Sequence, residues 1–134
     1  MGKDKCLSTV TADIKRNRLL ITLRGNIAKK DAERIYTDIR FCVSDLKPGF
    51  SVINNLTESR IAHLSTIETF KKITSYLNEK QVGPVVRVVG RAKIIFQQMS
   101  KLTKMINCYQ PMYAKTMDEA ETLLADLTKK NAAL

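Results

Sequence analysis

Val85-Val86-Arg87-Val88-Val89-Gly90 decides the fold. Its valines are β-branched and favour the pleated backbone of a strand. Both faces of the run are apolar except at Arg87, which predicts a central strand covered by helices on either side. Gly90 closes it. Downstream the period changes from two to that of a helix. Ile95, Met99, Leu102 and Ile106 share the buried face of a helix from about Arg91 to Met105, and Lys93, Gln97, Lys101 and Lys104 face outward. Tyr109 to Ala114 reads as a further strand. Thr116-Met117-Asp118-Glu119 has the form of a capping box opening a last helix, with Ala120, Leu123, Leu124 and Leu127 inward and residues 129–134 fraying.

Upstream, Val10 to Ile14 and Leu19 to Leu23 are two short strands. The polar turn Lys15 to Asn17 joins them into an antiparallel hairpin, and Gly25-Asn26 closes the second. Ala32, Ile35, Tyr36, Ile39 and Val43 line one face of a helix from about Lys29 to Leu46. Lys30, Arg34 and Asp38 line the other, and Lys47-Pro48-Gly49 stops it. Phe50 to Ile53 is a third strand running into Asn54-Asn55, followed by a loop through Arg60. Ser65-Thr66-Ile67-Glu68 fits a capping box with Ser65 as the cap. The second helix then buries Ile67, Phe70, Ile73 and Leu77 and pairs Glu68 with Lys72 on its surface.

The order is β-β-α-β-α-β-α-β-α. Alternating strands and helices imply an α/β fold with a largely parallel sheet, and the initial hairpin makes that sheet mixed, with four or five strands and about four helices. One domain is expected over residues 8–128, after a disordered stretch at 1–7. The chain has 134 residues, 44% hydrophobic and 27% charged, as globular proteins have. No apolar run approaches the length of a membrane span, and the N-terminus lacks the apolar core of a secretory signal. Cys6, Cys42 and Cys108 are odd in number and widely spaced, which suits free thiols in a reducing cytoplasm; Cys42 and Cys108 are expected to be buried.

Little in the sequence favours catalysis. His63 is the only histidine, and no nucleophile or carboxylate stands at a recognisable spacing from it. No metal-ligand cluster and no phosphate-binding glycine loop are present, so no cofactor is expected. Charge is more informative. The formal net charge is +10, and no Asp or Glu lies between Glu79 and Asp118. Arg87, Lys101 and Lys104 are expected on a basic face. If the later strands are parallel, Asn26, Asn55, His63, Ser65, Arg91, Lys93 and Lys115 would gather at the carboxyl edge of the sheet, where open α/β sheets bind ligands. A protein with an acidic surface, or a small anion, is the partner such a rim suits. Nucleic acid is disfavoured, because aromatics are only 6% and none interleave with the basic residues. A homodimer is compatible with the sequence.

From Ser8 to Leu127 this order resembles the STAS domain, shared by anti-sigma-factor antagonists and the cytosolic tails of sulphate transporters. Four stretches carry the likeness: Leu19 to Gly25, Ser51 to Leu56, Val85 to Gly90, and Thr116 to Leu127. The resemblance implies a non-enzymatic regulatory module of bacterial type that binds a protein. It also places Ser65 at the position that antagonists of the family present for phosphorylation. The family's flanking Asp and Gly are replaced by His63 and Thr66, and the central strand's usual Asp by Asn55. The expectation is therefore a protein-binding module without the phosphorylation switch, with a carrier or sensor of a small anionic or amphipathic ligand as the alternative.

Overall fold

A computed structural model describes residues 7–90, 94, 97, 98, 100, 101, 104 and 109–133. The strands are β1 (Thr9–Asp13), β2 (Arg18–Ile27), β3 (Ser51–Ala62), β4 (Val85–Val88) and β5 (Met112–Ala114). The helices with defined bounds are α1 (Lys29–Val43), α2 (Ile67–Glu79) and α3 (Met117–Ala133), and a 3-10 turn, Leu64–Thr66, leads into α2. The five strands form one mixed sheet in the order β1-β2-β3-β4-β5. β1 pairs antiparallel with β2, and every later pair is parallel.

The valine run behaves as its composition predicts. All four residues of β4 are buried, and β3 and β5 flank the strand. Its side chains divide between two cores. Val85 joins Leu19, Ile21, Leu23 and Val52 beneath Ile35, Ile39, Phe70, Ile73 and Leu77 of α1 and α2. Val86 and Val88 join Ile53 and Ala114 beneath Ala120 and Leu124 of α3. Alternation along the strand sets Arg87 on the side of Val85. Arg87 is only 3% exposed, so the expected basic face loses this member. It is held inside the sheet, where Nη1 donates to the Tyr113 hydroxyl of β5 at 3.4 Å.

Several boundaries differ from those the sequence suggests. β3 continues to Ala62 through the stretch expected as a loop, and β2 continues through Gly25 to Ile27. Two register shifts, between Thr22 and Arg24 and between Gly25 and Ile27, let this β2–β3 ribbon bend as it extends. The extension escapes a period-two pattern because bulges break the alternation. α1 ends at Val43, not Leu46, with Ser44 as its cap, and the fifth strand is only Met112–Ala114. Glu68 pairs with Lys71 at 3.5 Å, not with Lys72. The helix expected over 91–105 is described only at Ile94, Gln97, Gln98, Ser100, Lys101 and Lys104, all helical. Its expected inward residues Ile95, Met99, Leu102 and Ile106, with Cys6 and Cys108, lie outside the described residues, as does the N-terminal stretch 1–6. α3 carries its helical backbone to Ala133, past the point where fraying was expected.

At the open edge of the sheet, α1 reaches over β1. Arg34 Nη2 donates to the Ser8 carbonyl at 2.6 Å, and the Cys42 thiol donates to the Val10 carbonyl at 3.7 Å. A covered edge is a common defence against strand-to-strand association. A homodimer formed through β1 would have to break these contacts first. Cys42 is half-buried, not buried, and its thiol pKa is pushed up by burial first and then by the carboxylates of Asp38 and Asp45. The raised pKa keeps it a thiol at neutral pH, so alkylation by iodoacetamide at pH 8 should be slower than that of free cysteine. Reaction as fast as the free amino acid would contradict this placement.

Candidate functional site

The parallel strands were expected to bring one polar rim together at their carboxyl ends, but the strands end at two levels. Asn55 pairs with Thr22 on one side and Val88 on the other, so it stands where β4 finishes. Its Oδ1 accepts from the Thr57 N–H at 3.1 Å and from the Thr57 hydroxyl at 2.8 Å. Lys115 belongs to the same level. A side chain built at Gly90 would come within 3.1 Å of Thr57 Cγ2 and 3.7 Å of the Lys115 carbonyl.

Asn26, His63 and Ser65 occupy the other level, at the far end of the β2–β3 ribbon. Ile27 pairs with Ala62, and the His63 N–H donates to the Ile27 carbonyl at 2.9 Å. Strands rise about 3.3 Å per residue, so Asn55 and Ala62 are separated by roughly 20 Å. The structure therefore sets Asn55 and Lys115 at one level and Asn26, His63 and Ser65 at the other, and keeps the two groups apart. Arg91 and Lys93 lie outside the described residues. Lys101 and Lys104 are exposed.

Ser65 does not cap α2 as expected: α2 has Thr66 at its N-cap without a side-chain hydrogen bond, and the side-chain cap belongs to the 3-10 turn before it. Ser65 is the middle residue of the 3-10 turn, and His63 is its N-cap. His63 Nδ1 accepts from the Ser65 N–H at 3.1 Å, and Ser65 Oγ lies 2.8 Å from the same nitrogen. The Thr66 hydroxyl donates back to the His63 carbonyl. An imidazole can cap because an unprotonated ring nitrogen accepts as a serine oxygen does. The box at 116–119 is closer to expectation. Thr116 Oγ1 accepts from the Glu119 N–H at 3.2 Å, and Glu119 reaches back to the Lys115 N–H at 3.1 Å.

The cap assignment predicts an order of stabilities. His63→Ala should cost about 1 kcal/mol, the usual loss of a cap. Ser65→Ala, at an exposed hydroxyl, should cost under about 0.5 kcal/mol. Urea denaturation of both variants measures this, and a larger loss at Ser65 would restore serine as the cap.

The contact between Ser65 and His63 is not arranged for nucleophilic catalysis. Its Nδ1 lone pair already accepts a backbone N–H, both residues are exposed, and among the described residues no group hydrogen-bonds Nε2 to orient the ring. Among the described residues, no three His, Cys, Asp or Glu side chains come together as a metal site.

Sequence reasoning missed the apolar character of this turn. Leu64 is 75% exposed, Ile61 45% and Ile67 37%, although Ile67 was expected in the buried stripe of α2. They surround His63 and Ser65 in sequence. The clue was present in Ile61-Ala62-His63-Leu64, which is unusually apolar for a loop. Gln98 was missed as well. Its Oε1 accepts from the Ala62 N–H at 3.1 Å and its Nε2 donates to the Ala62 carbonyl at 2.9 Å, so one amide occupies both backbone groups as a neighbouring strand would. Gln98→Ala should destabilise the domain by about 1–2 kcal/mol, since both backbone groups lose their partner. An unchanged unfolding midpoint would show that this tether is not made in solution.

A small internal cavity of about 30 Å³ lies between the sheet and α1 and α2, lined by Ile21, Asn54, Phe70, Thr74, Arg87 and Tyr109 among others. That is room for a water or two, not for a metabolite. The Asn54 side-chain oxygen is buried there and has no hydrogen-bond partner among the described residues.

No family model matches the chain, and no curated protein matches it. Solved structures do. The unphosphorylated anti-sigma factor antagonist SpoIIAA aligns over 89% of this chain and 97% of its own, at 13% identity and a TM-score of 0.62. An uncharacterised protein of the DUF3478 family with a SpoIIAA-like fold, from Shewanella loihica PV-4, aligns over 92% and 98%, at 12% identity and a TM-score of 0.66. An anti-sigma factor antagonist from Mycobacterium paratuberculosis aligns over 90% and 95%, at 17% identity and a TM-score of 0.59. At such identities the likeness is one of fold, and near-complete coverage in both directions makes it a likeness of the whole domain. The mixed sheet opened by an antiparallel hairpin, the parallel β2 to β5 and the helices on both faces thus give this chain the SpoIIAA-like fold of those structures.

Proposed function

We propose that the domain is a non-enzymatic regulatory module that receives a protein partner on the turn spanning 61–67. The observation that carries this is the exposure of Ile61, Leu64 and Ile67 at the end of β3, in the 3-10 turn and at the start of α2, while the cavity beneath α1 and α2 measures only about 30 Å³ among the described residues. A carrier of an amphipathic ligand would need an enclosed apolar volume roughly tenfold larger. A protein-docking module needs an exposed apolar anchor on a rigid support. Leu64 has that form, with a capping imidazole on one side and the start of α2 on the other. The fold shared with two anti-sigma factor antagonists supports the same reading.

Ser65 works here as a member of the turn rather than as a switch. Its hydroxyl is engaged with His63, which replaces the family's Asp. Protein isolated from its native cell should carry no more than trace phosphate at Ser65 by mass spectrometry; substantial occupancy would reinstate the switch.

The docking role is tested by Leu64→Ser. Removing an exposed side chain should leave the unfolding midpoint within about 0.5 kcal/mol of wild type. Partner recovery from native lysate, quantified by mass spectrometry against the wild type, should fall about tenfold or more, as for an interface anchor. Equal recovery of every co-purifying protein would remove the turn from the interface.

A further inference from the structure

We infer that the partner's docking segment is acidic, and that the helical residues Ile94, Gln97, Lys101 and Lys104 form the second half of its seat. This rests on the docking role proposed for the 61–67 turn. Gln98 grips the backbone of Ala62 with both ends of its amide, at 2.9 and 3.1 Å, and so ties the helical residues to the residue between Ile61 and His63. On the same helix, Ile94, Gln97, Lys101 and Lys104 are exposed. Spacings of three, seven and ten residues place them on one face. Ile94 is 56% exposed and stands one turn from Gln98, so an apolar side chain borders the tether and two lysines continue beyond it.

Charge selects the occupant. The carboxylates beside the turn are already matched, Glu58 by Arg24 at 2.7 Å and Glu68 by Lys71 at 3.5 Å. Lys101 and Lys104 form no ion pair among the described residues, and the sequence from 80 to 117 contains no carboxylate to offer them. A basic stripe on the helix that Gln98 ties to Ala62, with exposed Ile61 and Leu64 within two residues of that anchor, complements a segment with apolar anchors and acidic flanks. Nucleic acid fits less well, since the turn offers only one aromatic ring, the His63 imidazole, and that ring is engaged in capping the turn. A lipid surface fits less well too, since Ile61, Leu64, Ile67 and Ile94 are divided among a strand end, a turn and two helices rather than lined along the apolar face of one helix.

Site-specific photocross-linking tests this in the native cell. A benzophenone amino acid is placed at Leu64 in one variant and at Lys101 in another, both in the full chain, and adducts are identified by mass spectrometry. The same protein should be captured at both positions, with an Asp- and Glu-rich peptide joined at Lys101. Lys101→Glu/Lys104→Glu, with an unchanged circular dichroism melt, should then weaken the purified pair about tenfold or more at low salt and much less at about 0.5 M salt. Capture at Leu64 alone, or a double variant that binds normally, leaves the turn as the docking site and overturns the acidic seat. A lipid or nucleic-acid adduct at Lys101 also overturns it. Failure of both positions to capture a protein overturns the docking role itself.

Discussion

Gly83→Ala should destabilise the domain by about 3 kcal/mol, through overpacking and the strain on two short hydrogen bonds. A Cβ at this position would lie 2.3 Å from the Gly49 carbonyl oxygen, 2.9 Å from its carbon and 3.2 Å from the Phe50 oxygen. Every one of these atoms is backbone, so no rotamer change relieves the clash. The segments entering β3 and β4 run side by side here. The Gly83 N–H donates to the Phe50 carbonyl at 2.7 Å, the Gly49 N–H donates to Gln81 at 2.7 Å, and the Val52 N–H donates to Pro84 at 2.9 Å. These bonds start the parallel β3–β4 register that sets Asn54 opposite Arg87 and Asn55 opposite Val88. Moving the two chains apart by about 1 Å, as ordinary van der Waals contact requires, weakens all of them. Gly49→Ala is the control. Gly49 has φ +87 and open space around it, so alanine there meets only the left-handed penalty of about 1–2 kcal/mol. Chemical denaturation of both variants decides the matter, and a Gly83→Ala loss below that of Gly49→Ala would refute the close approach.

The glycine contact also marks what a sequence can disclose. Val85, Val86 and Val88, the stripe Ala32, Ile35, Ile39 and Val43, and the stripe Phe70, Ile73 and Leu77 are all buried where their periods put them. Those periods are local properties, so the element order and the mixed sheet follow from them. The candidate site depends on relations that are not local. The length of the β2–β3 ribbon is hidden because its bulges break the alternation. It was this length that separated Asn26, His63 and Ser65 from Asn55 and Lys115. The cap passed from Ser65 to His63 because a 3-10 turn precedes α2, and a box read from residue types cannot tell a 3-10 start from an α-helical one. Gln98 grips Ala62 across 36 positions of chain, a contact that no motif encodes. Exposure of Leu64 follows from the same turn, since a residue leaving the strand at a sharp bend projects past the end of the sheet.

Arg87→Glu separates a surface role from an interior one by the size of its effect. On a basic docking face, reversing the charge would change partner affinity and leave stability within about 0.5 kcal/mol. Arg87 is instead buried in β4, on the side of Val85, where the cavity beneath α1 and α2 is lined mainly by aliphatic and aromatic side chains. A carboxylate placed there would be taken out of water, and burying an uncompensated charge typically costs about 3–5 kcal/mol. It would also face the Asn54 oxygen, its register partner, with a second acceptor and remove the donor that reaches Tyr113. The expected result is a domain largely unfolded at room temperature, or one whose glutamate is protonated and whose stability therefore rises as pH falls from 8 to 5. The sign follows from linkage: burial raises the folded-state pKa of the carboxyl above its unfolded value, so the folded state binds the extra proton and gains as pH drops. Arg87→Met keeps much of the volume without the charge and should lose far less, about 1–2 kcal/mol. Circular dichroism melts of the two variants across this pH range provide the measurement. A folded Arg87→Glu protein with wild-type stability at pH 8 would move Arg87 out of the core and onto the surface.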